Sequence, residues 1–142
     1  MAEAITAEIS MPKHGEFCWT EIASTNLEAC KNFYQNVFGW EMQKSPNTDE
    51  AFEYTEFSAT PRAYPMGGMY QISAEMFGEH LPPPHFLSYI SVDDVEETTS
   101  QAFDLGARII KPSMDVPNVG KMSIIQDPTG AMIAFITLGG NK

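Results

Sequence analysis

Basic residues are scarce in this chain. Eight lysines and arginines stand against nineteen aspartates and glutamates, a formal net charge of −11. So acidic a chain repels phosphate backbones, and no lysine or arginine stripe offsets the charge, so nucleic acid and anionic membrane surfaces are disfavoured as partners. Long apolar runs are missing as well, and nothing approaches the roughly 20 residues that a membrane helix needs. The opening segment MAEAITAEIS has neither a basic start nor an apolar core, unlike a secretory signal, which makes the cytoplasm the expected compartment. Cysteine is limited to Cys18 and Cys30. In a reducing compartment these are expected to stay thiols, not to form a disulfide. Gly67-Gly68 is too short for a phosphate loop.

What is present suits one globular domain. With 43% hydrophobic residues over 142 positions, the chain can bury one good core and is too short for two ordinary domains. Residues 1–13 lack periodicity and read as a flexible lead-in to a single domain over 14–142. The organising stretch is Glu16 to Trp40. Its first part, Phe17 to Ile22, is β-rich and alternates, with Phe17, Trp19 and Glu21 on one face and Cys18, Thr20 and Ile22 on the other. Its second part spaces Leu27, Cys30, Tyr34, Val37 and Phe38 as one helical stripe. Thr25 with Glu28 reads as the capping box, and Gly39 as the stop.

Further along, Glu41 to Lys44 predicts a short strand, and Ser45 to Asp49 a turn. Ala51 to Ser58 predicts a strand that presents Phe52, Tyr54 and Glu56 together, and Gly67 to Gln71 predicts another. Residues 76–84 contain three consecutive prolines and read as a linker between a first module (14–75) and a second (85–142). The second module opens with a strand from His85 to Val92. A helix capped by Asp93-Asp94 follows from Val95 to Leu105, with Val95, Thr99, Ala102 and Leu105 as its inner stripe. Strands at 107–110, 120–126 and 132–138 complete it, the last two joined by the turn Asp127-Pro128-Thr129-Gly130. Each half thus repeats strand, helix and three strands at an offset of about 67 residues, as an internal duplication would. The class is α+β, and two such modules can close their open sheet faces around a pocket.

The chain resembles the vicinal oxygen chelate superfamily, which includes glyoxalase I, extradiol dioxygenases and bleomycin-resistance proteins. Phe33-Tyr34 with Phe38-Gly39-Trp40, Val92-Asp93-Asp94, Leu105-Gly106-Ala107 and Asp127-Pro128-Thr129-Gly130-Ala131 carry the resemblance. It implies tandem βαβββ modules forming an incomplete barrel around a cleft, and a homodimer. Metal-dependent members supply His, Gln or Glu from four strand positions. Here three of those positions correspond to Trp19, Leu87 and Ala134, with the fourth near Met69 and Tyr70, so the family metal site and any cofactor are expected to be absent.

Within the expected cleft, Glu21 shares Trp19's parity. A carboxylate among apolar neighbours can serve as a general base or hold a polar ligand group; the alternative is an edge carboxylate satisfied by water or Arg62. Trp19, Tyr54, Met69, Tyr89, Met122 and Met132 are candidate lining for an apolar or aromatic ligand, although each also suits ordinary core packing. His85 shares parity with Leu87 and Tyr89 and is placed at the mouth, whereas His14 and His80 read as surface residues. Three functions follow. The first is metal-free binding of a small apolar or aromatic molecule. The second is a metal-independent lyase, isomerase or hydrolase working through Glu21 with Tyr54, Tyr89 or His85. The third is a divalent-metal glyoxalase or dioxygenase.

Overall fold

A computed structural model describes residues 12–46, 52–60 and 64–139. Residues 1–11 of the expected 1–13 lead-in, the turn residues at 47–49 and Arg62 lie outside the described residues. In chain order the elements are β1 (Phe17–Ser24), α1 (Leu27–Phe38), β2 (Glu41–Lys44), β3 (Tyr54–Ser58), β4 (Gly67–Gln71), a one-turn α2 (Ala74–Phe77), β5 (His85–Ser91), α3 (Val95–Asp104), β6 (Arg108–Val116), β7 (Gly120–Gln126) and β8 (Met132–Leu138). The strands form one eight-stranded sheet in the order β2-β3-β4-β1-β5-β8-β7-β6, not closed into a barrel. Its centre is the antiparallel pair β1 and β5. On either side, β1 pairs in parallel with β4 and β5 in parallel with β8. The two halves are therefore related by a pseudo-two-fold axis at the β1–β5 seam, which is the duplicated order expected from sequence.

Local chemistry sets the helix ends. The cap of α1 is Asn26 and not Thr25: its side chain accepts from the Ala29 N–H at 3.0 Å. Gln71 at the end of β4 accepts from the Leu27 N–H at 2.8 Å, so a neighbouring strand satisfies a second orphan donor of this helix. Gly39 closes α1 in the left-handed region at φ 73°, with its N–H on the Gln35 carbonyl. Asp94 caps α3 by accepting from the Glu97 N–H, and Glu96 and Glu97 complement the dipole in its first turn.

The two longer helices, α1 and α3, pack on one face of the sheet. Leu27 of α1 joins Ile22, Phe57 and Met69 in a buried cluster, with Cys30, Tyr34, Trp40 and Met42 packed around it. Trp40 stacks on Phe57 with ring centroids 4.5 Å apart. Val95 of α3 joins Val92, Ala107, Ile125 and Phe135. The expected stripes run only part of each helix, since Val37 and Phe38 of α1 and Leu105 beyond α3 are exposed. Helical periodicity tells which residues share a side, not how far along the helix the sheet reaches. The opposite sheet face carries two more clusters, one around Leu87, Tyr89, Ala134 and Ile136 and one around Ala23, Tyr70 and Ile72.

Close strand approach depends on Gly67. A methyl group there would overlap the Thr20 carbonyl oxygen of β1 and come within 2.8 Å of the Phe57 ring. Backbone cannot swing aside as a side chain can. Gly67→Ala is expected to destabilise the fold by about 2–3 kcal/mol through overpacking at the β1–β4 pair. Urea unfolding showing a loss below about 0.5 kcal/mol would contradict the tight register.

Candidate functional site

The face opposite the helices holds a cleft of ≈ 330 Å³. Its walls come from both halves: Trp19, Glu21, Tyr54 and Glu56 on β1 and β3, and Met122, Ile136 and Leu138 on β7 and β8. Tyr89 on β5 bridges the two. Glu21 is the hub. The Tyr54 hydroxyl donates to Glu21 Oε2 at 2.9 Å and the Tyr89 hydroxyl donates to Oε1 at 3.0 Å. Trp19 Nε1–H in turn donates to the Tyr54 hydroxyl oxygen at 2.8 Å, which leaves the phenol proton directed at Glu21. Tyr89 Oη also lies 3.9 Å from Met122 Sδ, tying the hub to the second module.

Strand register explains how Tyr54 gets there. Glu21 pairs with Gly68 on β4, and Gly68 pairs with Glu56 on β3, so all three stand in one row across adjacent strands. A Cβ on Gly68 would collide with the Tyr54 ring. Glycine at 68 therefore lets a tyrosine from β3 lie across β4 and reach β1.

Burial pushes the Glu21 carboxyl above its ordinary value; the phenol hydrogen bonds from Tyr54 and Tyr89 and the field of His85 act the other way without cancelling it. Both phenols are pushed well above the usual tyrosine range, first by burial and then by the adjacent Glu21 charge. They are thus donors and not bases at neutral pH.

Several sequence expectations are placed here and others are moved. Trp19, Glu21, Tyr54, Tyr89 and Met122 do line the cleft. Met69 does not: it is fully buried on the helix side with Ile22 and Leu27, because β4 pairs in parallel with β1 and places Met69 opposite Ile22. Met132 sits at the exposed end of β8, outside the lining. His85 is half-buried, with Nδ1 2.8 Å from the Pro83 carbonyl oxygen, close enough to influence Glu21 yet not in the cleft wall. A register shift between Phe17 and Trp19 brings Cys18 to the cleft beside Trp19, against simple alternation, while Cys30 packs beneath α1. Both thiols are free. Asp127 is a turn residue, its Oδ1 accepting from the Thr129 and Ala131 N–H groups. Glu56 and the second-module wall were not singled out from sequence; alternation with Tyr54, and with Ala134 for Ile136 and Leu138, is the signal that points to them.

The strand positions that would bear a metal can now be completed. Ala134 pairs with Tyr89, and by the pseudo-two-fold its counterpart is the residue paired with Glu21, which is Gly68 and neither Met69 nor Tyr70. With that pairing, the four positions that the resemblance implies are Trp19, Gly68, Leu87 and Ala134. Among the described residues no group of three or more His, Cys, Asp or Glu gathers where it could hold a metal ion.

A model of the glyoxalase/bleomycin resistance protein/dioxygenase superfamily matches residues 17–135. The chain belongs to that superfamily. Among curated relatives it is 28% identical over 143 residues to CFP32 of Mycobacterium bovis, provisionally named a glyoxylase, covering 88% of this chain and 48% of CFP32. It is 28% identical over 127 residues to the anthracycline biosynthesis protein DnrV of Streptomyces peucetius, covering 84% and 46%. The chain therefore spans about half the length of these relatives. Methylmalonyl-CoA epimerase from Mycobacterium tuberculosis shares the superfamily fold with a TM-score of 0.59 at 12% identity, over 94% of this chain and 95% of the epimerase.

The Glu21 carboxyl gives a pH signature. Its value in the fold is raised above the ordinary 4.5, so the native state retains a proton that the unfolded chain has lost. Its contribution to stability is complete below about pH 4.5 and is lost as the pH rises through the raised value. The stability of the unmodified protein relative to Glu21→Gln is expected to fall over that window and then level off. Urea midpoints measured across the pH range check this, and a pH-independent difference would refute it.

Proposed function

We propose that this superfamily member binds a small apolar or aromatic molecule in the cleft between its halves, without a divalent metal. The observation that carries the reading is what occupies the four metal-bearing positions. Trp19 is an indole, Gly68 lacks a side chain, and Leu87 and Ala134 are apolar; the space over Gly68 is filled by the Tyr54 ring. Such a donor set does not fit a divalent ion, which needs several oxygen or imidazole ligands. It does fit an organic guest. A cavity of ≈ 330 Å³ is within the range of small-ligand sites, and aromatic walls with a few convergent polar groups are their usual chemistry. DnrV's name, with its reference to anthracyclines, points toward aromatic ligands too.

Acid–base chemistry is the second reading, favoured by the burial that raises the Glu21 carboxyl above its ordinary value beside two phenol donors. A homodimer belongs to the same proposal. Phe33, Val37 and Phe38 leave an apolar strip exposed along α1, and two-fold assemblies are the commonest kind.

The expected result is saturable one-to-one binding of the neutral fluorescent probe N-phenyl-1-naphthylamine to chelator-treated protein. Trp19→Ala should weaken it about tenfold, since it removes a large central contact. Binding that appears only after adding a divalent metal, or none that saturates, would defeat the reading.

A further inference from the structure

Glu56 is a second carboxylate in this cleft, and it has no role in the network around Glu21. It is 8% exposed, yet it lines the cavity. The neighbour that hydrogen-bonds it among the described residues is the Gln43 side-chain amide, at a long 3.4 Å. Burying a carboxylate costs several kcal/mol unless a cation or strong donors compensate. The ion pairs among the described residues lie elsewhere, on His14, Lys31 and Lys121. No lysine or arginine among the described residues lines the cleft.

Geometry relates the two carboxylates. Glu21 and Glu56 flank Gly68 in one row, two strand spacings or about 10 Å apart along the sheet. The Tyr54 ring lies over Gly68 in the space between them. Each Glu21 oxygen accepts one phenol proton and keeps a further lone pair for a guest. Across the cleft the wall is Met122, Ile136 and Leu138, with no charged side chain among its described residues. One side of the cavity is thus doubly acidic and aromatic, and the other is apolar.

We propose that the ligand is a cation with an aromatic or apolar body, its positively charged nitrogen seated on the cleft side of the Tyr54 ring that separates Glu21 from Glu56. This rests on the reading of the cleft as a small-molecule site. The charged nitrogen supplies the counter-charge that no lysine or arginine among the described residues brings to the cleft lining, and the aromatic rings add cation–π attraction. The body of the ligand lies against the second-module wall.

The test compares two probes of one shape, N-methylquinolinium and 1-methylnaphthalene, by calorimetry and by amide chemical shifts. The cation is expected to bind about tenfold more tightly, and to keep that preference at about 0.5 M salt, where diffuse attraction to an acidic surface is screened. Its shifts should centre on Glu21, Tyr54 and Glu56 in the unmutated protein. Glu56→Gln, and independently Glu21→Gln, should remove most of the roughly tenfold ratio between the affinities for the cation and for 1-methylnaphthalene, each ratio being taken within one variant. Equal binding of both probes, or a preference untouched by either substitution or abolished by salt, overturns the cation site and leaves the small-molecule reading standing. Failure of both probes to bind overturns the two together.

Discussion

Everything at the cleft depends on one buried carboxylate held by two phenols from opposite halves of the chain. Tyr54 reaches Glu21 from the first module and Tyr89 from the second. Glu21 itself stands on β1, at the seam where the modules meet. Hydrogen bonds to a charged group contribute about 1.5–3 kcal/mol each, which is comparable with, and not clearly larger than, the several kcal/mol that burying the carboxylate costs. Stability alone is therefore a poor explanation for Glu21. A leucine at that position would pack with less penalty, whereas a carboxylate presents a poised polar group at the centre of an apolar cavity.

The rest of the architecture serves this placement. The helices α1 and α3 cover one face of the sheet and keep its structural core with Met69, Phe57, Val95 and Phe135, so the other face is left to form the cleft. The absence of side chains matters as much as their presence. Gly67 lets β4 approach β1, and Gly68 lets the Tyr54 ring cross β4. Trp19 then orients the Tyr54 hydroxyl by donating to its oxygen.

Much of this was legible in the residues. Alternation in β1 and around Tyr54, the stop at Gly39 and the cap at Asp94 are local signals, and they carried the duplicated order, the β3 facing and the inward turn of Glu21, while the first helix's cap fell one residue beyond the expected Thr25. What failed was set by pairing between strands distant in sequence. Nothing local tells which face Met69 takes; its placement follows from the parallel register with β1. The shift that brings Cys18 into the cleft beside Trp19 is likewise a property of the β1–β5 pair. Glu56 was visible as a residue of the right parity, but its significance appears only once its burial and its row with Glu21 are known.

The most direct measurement is a crystal structure of protein purified without chelator and grown with N-methylquinolinium present. The account predicts electron density for the organic cation on the cleft side of the Tyr54 ring, with its rings against Met122 and Ile136 and the Tyr54–Glu21–Tyr89 contacts intact. A divalent ion coordinated by cleft residues, or a cleft closed by its own side chains, would contradict it.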